Sequence, residues 1–197
     1  MSVDLILGCM FSGKTTELIN RIKNYRNAGL NCLVLNSSKD IRCQDKQIKT
    51  HDGYTLECIK VSTLDDISVD VYDVIAVDEA QFFKDLLYFV CYWADAKNKK
   101  VILAGLNGDC ERTPWNNISE LIPYATSIDF KKATCHLCQS LDSAIYSMRF
   151  DINGQFEREN GCIIDVGGAD KYVPVCRICY NNHLKQDRKS TRLNSSH

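Results

Sequence analysis

The chain has 197 residues and a formal net charge of −1, with 45% hydrophobic and 25% charged residues. This length and composition suit one globular domain, or one domain with a small appendage, and the balanced charge gives no basic footprint for nucleic acid. No apolar run approaches the length of a membrane span and no signal peptide is recognisable, so we expect a soluble cytoplasmic protein that does not bind membranes.

The first predicted elements are a buried strand at residues 3–7 and a helix at residues 16–28, joined by the loop GCMFSGKT. A strand, a glycine-bounded loop and a helix form the context of a Walker A phosphate loop, whose backbone N–H groups surround an anion. In such a loop Lys14 would reach the β- and γ-phosphates of a nucleoside triphosphate, and the Thr15 hydroxyl would bind Mg²⁺. The alternative is a chance glycine–lysine turn, which the flanking elements disfavour. The predicted nucleotide-binding residues are Gly8, Met10, Phe11, Ser12, Gly13, Lys14, Thr15 and Thr16.

The next segments alternate between apolar runs and a helical pattern. Strands are predicted at residues 31–36, 71–77 and 101–104, an amphipathic helix at 80–97, and a functional or mobile loop at 37–53. This order predicts an α/β fold with a parallel sheet flanked by helices. Gly8, Asp78 and Gly105 each follow a strand, and the carboxyl ends of parallel strands meet at one edge. We therefore expect a single site at that edge.

Asp78 and Glu79 close an apolar strand, as a Walker B element does. Asp78 would complete the Mg²⁺ shell begun by Thr15, and the neighbouring Glu79 could accept a proton from an attacking hydroxyl or water. The alternative is an exposed acidic pair at a helix start, where negative charge is favourable.

Eleven cysteines in a chain of this class indicate metal binding or reduced thiols. Cys135-x-x-Cys138 and Cys176-x-x-Cys179 form two knuckles whose spacing suits a structural, four-thiolate zinc site. A redox pair and buried free thiols are the alternatives, and His136 and His183 are predicted surface residues rather than ligands. The other cysteines, Cys9, Cys32 and Cys91 among them, are predicted to be small core residues.

Three regions are predicted. Residues 1–130 form a nucleotide-binding α/β domain, and residues 131–186 form a smaller zinc-ribbon-like module. Residues 187–197 are polar and aperiodic and match a translated sequencing adapter, so we interpret them as a non-native tail; a native disordered tail is the alternative.

Several motifs in order resemble one family. The run GCMFSGKTTELI, the DEAQFF of residues 78–83, and GGADKY ahead of CRIC are similar to the type II thymidine kinases, the smaller, zinc-containing kind. The resemblance covers residues 3–180. It implies transfer of the γ-phosphoryl group of ATP to the 5′-hydroxyl of thymidine, and of deoxyuridine, giving dTMP for DNA precursor synthesis. It also implies Mg²⁺, structural zinc and a homotetramer.

The resemblance also implies roles for individual residues. Glu79 matches the general base, Arg42 a loop arginine that steadies the transferred phosphoryl group, and Phe82 the aromatic plate against the thymine ring. A loop ending near Tyr172 would close over the nucleoside and exclude water. Taken as ordinary residues, Arg42 would be a solvated charge, and Phe82 and Tyr172 packing residues. The implied substrate-binding residues are Met10, Phe82, Leu106, Cys110, Ile163, Ile164, Asp165, Val166, Gly167 and Tyr172.

The chain departs from the family pattern at two informative positions. Cys9 replaces a common proline, and Cys110 stands where an aromatic residue often closes the base pocket. A smaller side chain at position 110 could widen that pocket. Two other functions stay open from the sequence: a small nucleic-acid-dependent ATPase, because of its acidic box and zinc knuckles, and a nucleotide-binding regulator without turnover.

Overall fold

A computed structural model of the protein describes residues 1–40, 47–49, 53, 55–65, 67–150 and 171–184. The strands are β1 (Ser2–Gly8), β2 (Cys32–Ser37), β3 (Gln47–Lys49), β4 (Thr55–Glu57), β5 (Ile59–Val61), β6 (Val74–Asp78), β7 (Lys100–Leu106), β8 (Ser127–Lys131), β9 (Ala144–Arg149) and β10 (Tyr172–Cys176). The helices are α1 (Lys14–Asn27), α2 (Leu86–Cys91), α3 (Asn116–Ser119) and α4, at residues 177–184. Single turns lie at Ala80–Phe82, Tyr92–Ala96 and Ile122–Tyr124.

A six-stranded parallel sheet in the order β5-β2-β6-β7-β1-β8 organises the first part of the chain. Its registers set Gly8 beside Leu106 and Asn36 beside Asp78, so the strands end together at the carboxyl edge. The predicted α/β fold class is confirmed.

Both faces of this sheet are covered by apolar side chains, as a parallel sheet requires. On one face Leu18, Ile19 and Ile22 of α1 pack against β1, β2, β6 and β7. On the other face α2 and the turn after it contribute Val90 and Trp93. Each buried side chain of this size contributes about 1.5–3 kcal/mol, so the two layers fix α1 and the strand ends that carry the site.

The predicted helix at 80–97 is broken. Glu79 has a left-handed backbone (φ 51°), a single turn follows at Ala80–Phe82, and Phe83 is extended before the helix resumes at Leu86. The apolar pattern still marks the packed face, because Phe83, Leu86 and Val90 are buried in the core. The predicted start of the helix was therefore wrong, although its buried face was right.

A smaller sheet follows, in which β9 and β10 pair antiparallel. Its buried side chains, including Met148, Val175 and Tyr180, form a cluster that also contains Cys9 of the phosphate loop. The predicted boundary after residue 130 falls inside β8, and the division into two domains stays a prediction. Within the part of the chain that the structure describes, none of the helices has the length and apolarity needed to cross a bilayer.

Candidate active site and metal centre

The loop between β1 and α1 has the form expected of a phosphate loop. Gly13, at the N-terminus of α1, has a left-handed backbone (φ 79°) that lets the chain turn into the helix. Gly8 is required for space, because a Cβ there would lie 2.3 Å from the carbonyl oxygen of Lys131. The Lys14 Nζ donates a 2.6 Å hydrogen bond to the carbonyl oxygen of Cys9, across the loop. A buried lysine thus holds its ammonium at the loop that leads into the N-terminus of α1, and a cation together with a helix N-terminus suits an anion.

Thr15 and Asp78 meet at the start of α1. The Thr15 hydroxyl lies 3.2 Å from Oδ2 and 3.3 Å from Oδ1 of Asp78, a residue that is 2% exposed. A hydroxyl and a carboxylate are hard oxygen ligands of the kind that Mg²⁺ takes. The donor set thus fits this metal.

Glu79 follows Asp78 and is half-buried. Its left-handed backbone is uncommon for a residue with a side chain and costs of order 1–3 kcal/mol, a strain that clusters at functional sites. The Gln81 Nε2 donates a 2.6 Å hydrogen bond to Oε2 of Glu79. This carboxylate therefore stands at the sheet edge in a fixed orientation.

Four of the predicted substrate-binding residues lie at or just beyond the ends of β1, β6 and β7: Met10, Phe82, Leu106 and Cys110. Phe82 is half-buried and meets the Trp115 ring edge-to-face, with centroids 6.4 Å apart. The backbone N–H of Leu106 donates to Oε1 of Gln81 at 3.1 Å, and Cys110 is buried in the loop beyond. Met10 is half-buried and lies in the phosphate loop, two residues after the end of β1.

The other predicted site residues lie in the phosphate loop, in β10 or outside the described part of the chain. Phe11 has a left-handed backbone (φ 64°) within the loop, and Ser12 is buried. Tyr172 is buried at the start of β10, opposite Arg149. Arg42, Ile163, Ile164, Asp165, Val166 and Gly167 lie outside the residues that the structure describes.

A cleft of about 700 Å³ opens beside the phosphate loop. Ser12, Gly13 and Thr16 form one wall, and Phe130 and Lys131, at the end of β8, form the other. The cleft adjoins the helix N-terminus, where the phosphates of a nucleotide would lie.

Four cysteines come together as their spacing predicts. The Sγ atoms of Cys135, Cys138, Cys176 and Cys179 all lie within 4.8 Å of one another. The Cys138 and Cys176 sulfurs are 3.9 Å apart, close to the roughly 3.8 Å edge of a tetrahedron with Zn–S bonds of about 2.3 Å. The sequence prediction of a metal-binding cluster agrees with this geometry.

Backbone N–H groups favour the thiolate form of one cysteine in this cluster. Burial opposes ionisation of Cys135, yet backbone N–H groups, including those of Cys138 and Cys176, outweigh it and hold the pKa of this thiol below its usual value. The Cys176 N–H lies 3.3 Å from the Cys135 sulfur. A thiolate is the form that binds metal. His136 is exposed, and the His183 ring packs against Phe150, so neither joins the cluster.

For the remaining cysteines that the structure describes, the prediction holds only in part; Cys43 and Cys162 lie outside the described residues. Cys9, Cys58 and Cys110 are buried, whereas Cys32 and Cys91 are only half-buried. Cys32 is the first residue of β2 and follows the exposed Asn31, so it lies at the margin of the core and is only partly covered.

Polar residues outside the set of predicted site residues hold the site together. Asn117 Nδ2 donates to the carbonyl oxygens of Gln81 and Phe83, both at 2.8 Å, and so fixes the backbone on either side of Phe82. Ser147 Oγ accepts from the Met10 N–H at 2.9 Å, joining β9 to the phosphate loop. Gln81, inside the DEAQFF run, carried the one usable sequence signal, since a glutamine two residues after a predicted catalytic carboxylate is a hydrogen-bond candidate.

Comparisons with known proteins agree over nearly the whole chain. A family model described as thymidine kinase matches residues 1–180. The chain is 42% identical over 190 residues to a thymidine kinase of Amsacta moorei entomopoxvirus, covering 92% of this chain and 99% of that protein. It is 39% identical over 192 residues to one from Choristoneura biennis entomopoxvirus (93% and 98% covered). Thymidine kinase a of Arabidopsis thaliana is 39% identical over 191 residues (93% and 76% covered).

Proposed function

Because the chain belongs to the thymidine kinase family, we propose that its sheet-edge site transfers the γ-phosphoryl group of ATP to the 5′-hydroxyl of thymidine, and of deoxyuridine. The family implies ATP and thymidine as substrates. The observation that carries the proposal is the convergence of Lys14, Thr15, Asp78 and Glu79 at the carboxyl edge of one sheet. Family membership also favours the kinase over a nucleic-acid-dependent ATPase.

The phosphate loop binds the triphosphate in this proposal. Backbone N–H groups of residues 11–15 would surround the phosphates, since the Met10 N–H is already bound to Ser147. The Lys14 ammonium would exchange the Cys9 carbonyl oxygen for phosphate oxygens. Thr15 and Asp78 would hold Mg²⁺, which when bound supplies positive charge against the phosphate oxygens. The nucleotide's ribose and base would enter the cleft between Gly13 and Lys131, whose walls adjoin the loop.

Glu79 is proposed as the general base. A carboxylate at the edge of the site can accept the 5′-hydroxyl proton as the oxygen attacks the γ-phosphorus. Its strained backbone and its hydrogen bond to Gln81 support a fixed, functional orientation. Arg42 would stabilise the phosphoryl group in flight.

The thymine ring is proposed to pack on Phe82, with Met10, Leu106 and Cys110 lining its pocket. The contacts of Trp115 and Asn117 around Phe82 support a rigid aromatic surface there. Residues 163–167 and Tyr172 would cover the nucleoside and exclude water, which competes as a phosphoryl acceptor.

The four-cysteine cluster is proposed to hold a structural zinc ion. Four protein thiolates leave no open coordination position, so the metal would stabilise the fold rather than take part in the transfer.

A homotetramer stays a prediction, which analytical ultracentrifugation of the zinc-loaded protein tests.

The test is transfer of radiolabelled γ-phosphate from Mg-ATP to each of the four deoxynucleosides. Label is expected on thymidine, and Glu79→Gln is expected to lower turnover by about 10²–10⁴-fold, the usual worth of a general base. Glu120→Gln, which changes an exposed carboxylate, is the matched control and should transfer normally. Near-normal turnover by Glu79→Gln would reject the general-base role, and a folded protein that labels no nucleoside would reject the function.

A further inference from the structure

The side chain of Gln81 connects two parts of the site. It is 3% exposed and lies in the turn directly after Glu79. Its Nε2 donates to Oε2 of Glu79 at 2.6 Å, and its Oε1 accepts from the backbone N–H of Leu106 at 3.1 Å. One buried amide thus joins the carboxylate that follows β6 to the last residue of β7.

The chemistry of the two partners determines which side chain can serve here. An ionised carboxylate only accepts hydrogen bonds and a backbone N–H only donates them. The bridging group must therefore present a donor to Glu79 and an acceptor to Leu106. An amide does both in one orientation, whereas a carboxylate lacks the donor and an ammonium lacks the acceptor.

The surroundings of Gln81 hold this amide in place. Asn117 donates to the Gln81 carbonyl oxygen at 2.8 Å, which fixes the backbone of the turn. Gly105 lies against the amide oxygen, since a Cβ at that position would be 3.2 Å from Oε1. The hydrogen bond from Asn117 thus fixes the backbone that carries the amide, and Gly105, which has no side chain, leaves room for the amide oxygen.

We propose that Gln81 is a positioning residue that orients the Glu79 carboxylate relative to the thymidine pocket. The inference rests on the proposed function and deepens it. The Gln81 amide would orient Glu79 through one hydrogen bond while a second hydrogen bond holds the same amide to Leu106, a predicted lining residue of the pocket. Base and nucleoside would then keep their relative geometry, on which proton transfer in the attack depends.

The test uses Gln81→Met, which keeps the length of the side chain and removes both hydrogen bonds. We expect kcat with thymidine to fall about tenfold to a hundredfold, because a hydrogen bond to a charged group is lost. The KM for ATP should stay unchanged, since the phosphate loop is untouched. Gln81→Glu, which keeps an acceptor for Leu106 and sets a carboxylate against Glu79, should lower kcat at least as far. Lys84→Gln, an exposed change nearby, is the control.

A double-mutant cycle separates positioning from general destabilisation. With Glu79 already replaced by Gln, adding Gln81→Met should change kcat by less than about twofold, because the group to be oriented is gone. Multiplicative losses in the double variant, or wild-type kcat in both Gln81 variants, would overturn the inference. The wild-type assay reports separately on the proposed function: a wild type that does not phosphorylate thymidine rejects that function, whereas an active wild type with indifferent Gln81 variants rejects the inference alone.

Discussion

The carboxyl edge of the large sheet and the four-cysteine module, which consists of β9, β10, α4 and the four clustered cysteines, hold their polar groups in different ways. At the sheet edge, strand pairing sets Gly8 beside Leu106, and buried layers on both faces fix the strand ends. In the module, a two-stranded sheet and a small apolar cluster bring together two knuckles far apart in sequence. The edge is therefore built by the hydrophobic core, whereas the module has a small core and is expected to depend on the zinc ion that we propose for it.

The two regions are nevertheless connected. The Cys9 thiol lies 3.4 Å from the Ala144 carbonyl oxygen, and the Met10 N–H donates to Ser147. On the other side of the module, the Tyr180 hydroxyl donates to the carbonyl oxygen of Cys110 at 2.8 Å. The module thus touches both the phosphate loop and the loop after β7, so its loss should reach the site.

The largest effect is expected from the sheet edge itself. Lys14→Ala removes the ammonium that would offset phosphate charge, and we expect kcat to fall by about 10²–10³-fold or more. Radiolabel transfer to thymidine measures it, while circular dichroism checks the fold. Lys23→Ala, in the exposed part of α1, is the control. Retention of near-normal kcat by Lys14→Ala would mean that the loop does not bind the phosphates as proposed.

Removing the metal tests the dependence of the module. Cys176→Ser, or a chelator, should lower the melting temperature by roughly 10 °C, since loss of a structural metal removes several ligand bonds at once. Cys32→Ser, outside the cluster and half-buried, should change it little. If both variants melt alike, and the purified protein contains no zinc by elemental analysis, the structural-metal proposal is wrong.

The same contrast explains what the sequence could predict. The phosphate loop, α1 and the knuckles were predictable, because each depends on local spacing: Gly13-Lys14-Thr15 starts a helix, and Cys-x-x-Cys sets two thiols in one turn. β8 was missed because Ile128 and Phe130 are exposed at the sheet edge, so it lacks an apolar run. The contacts of Gln81 with Leu106 depend on which strands are neighbours, which no local pattern encodes.

The Cys9 thiol offers a titration test of the contact between the two regions. Burial raises the pKa of Cys9 from 9.0 to about 11, against the opposing field of Lys14. The thiol therefore ionises at a lower pH in the unfolded chain than in the folded protein. The resulting contribution to the free energy of unfolding is complete below pH 9 and is lost as the pH rises from 9 toward 11. The loss amounts to at most about 2–3 kcal/mol.

Urea unfolding of the zinc-loaded protein at several pH values measures this slope. Cys9→Ala should show a shallower decline between pH 9 and 11 than the wild type, because the other titrating groups are common to both. Parallel declines would show that Cys9 is not buried against the module as described.

The smallest expected effect concerns Tyr180, whose ring lies 4.6 Å from the Arg112 guanidinium and whose hydroxyl holds the Cys110 carbonyl. Tyr180→Phe keeps the ring and removes one hydrogen bond, worth about 1 kcal/mol, so the KM for thymidine should rise about fivefold. The KM for ATP should not change, and Tyr124→Phe, at an exposed ring, should alter neither. A rise confined to thymidine would mean that the cysteine module shapes the nucleoside pocket through the loop after β7. Equal KM values for thymidine in Tyr180→Phe and wild type would mean that the module acts on stability alone, and that the sheet edge sets specificity by itself.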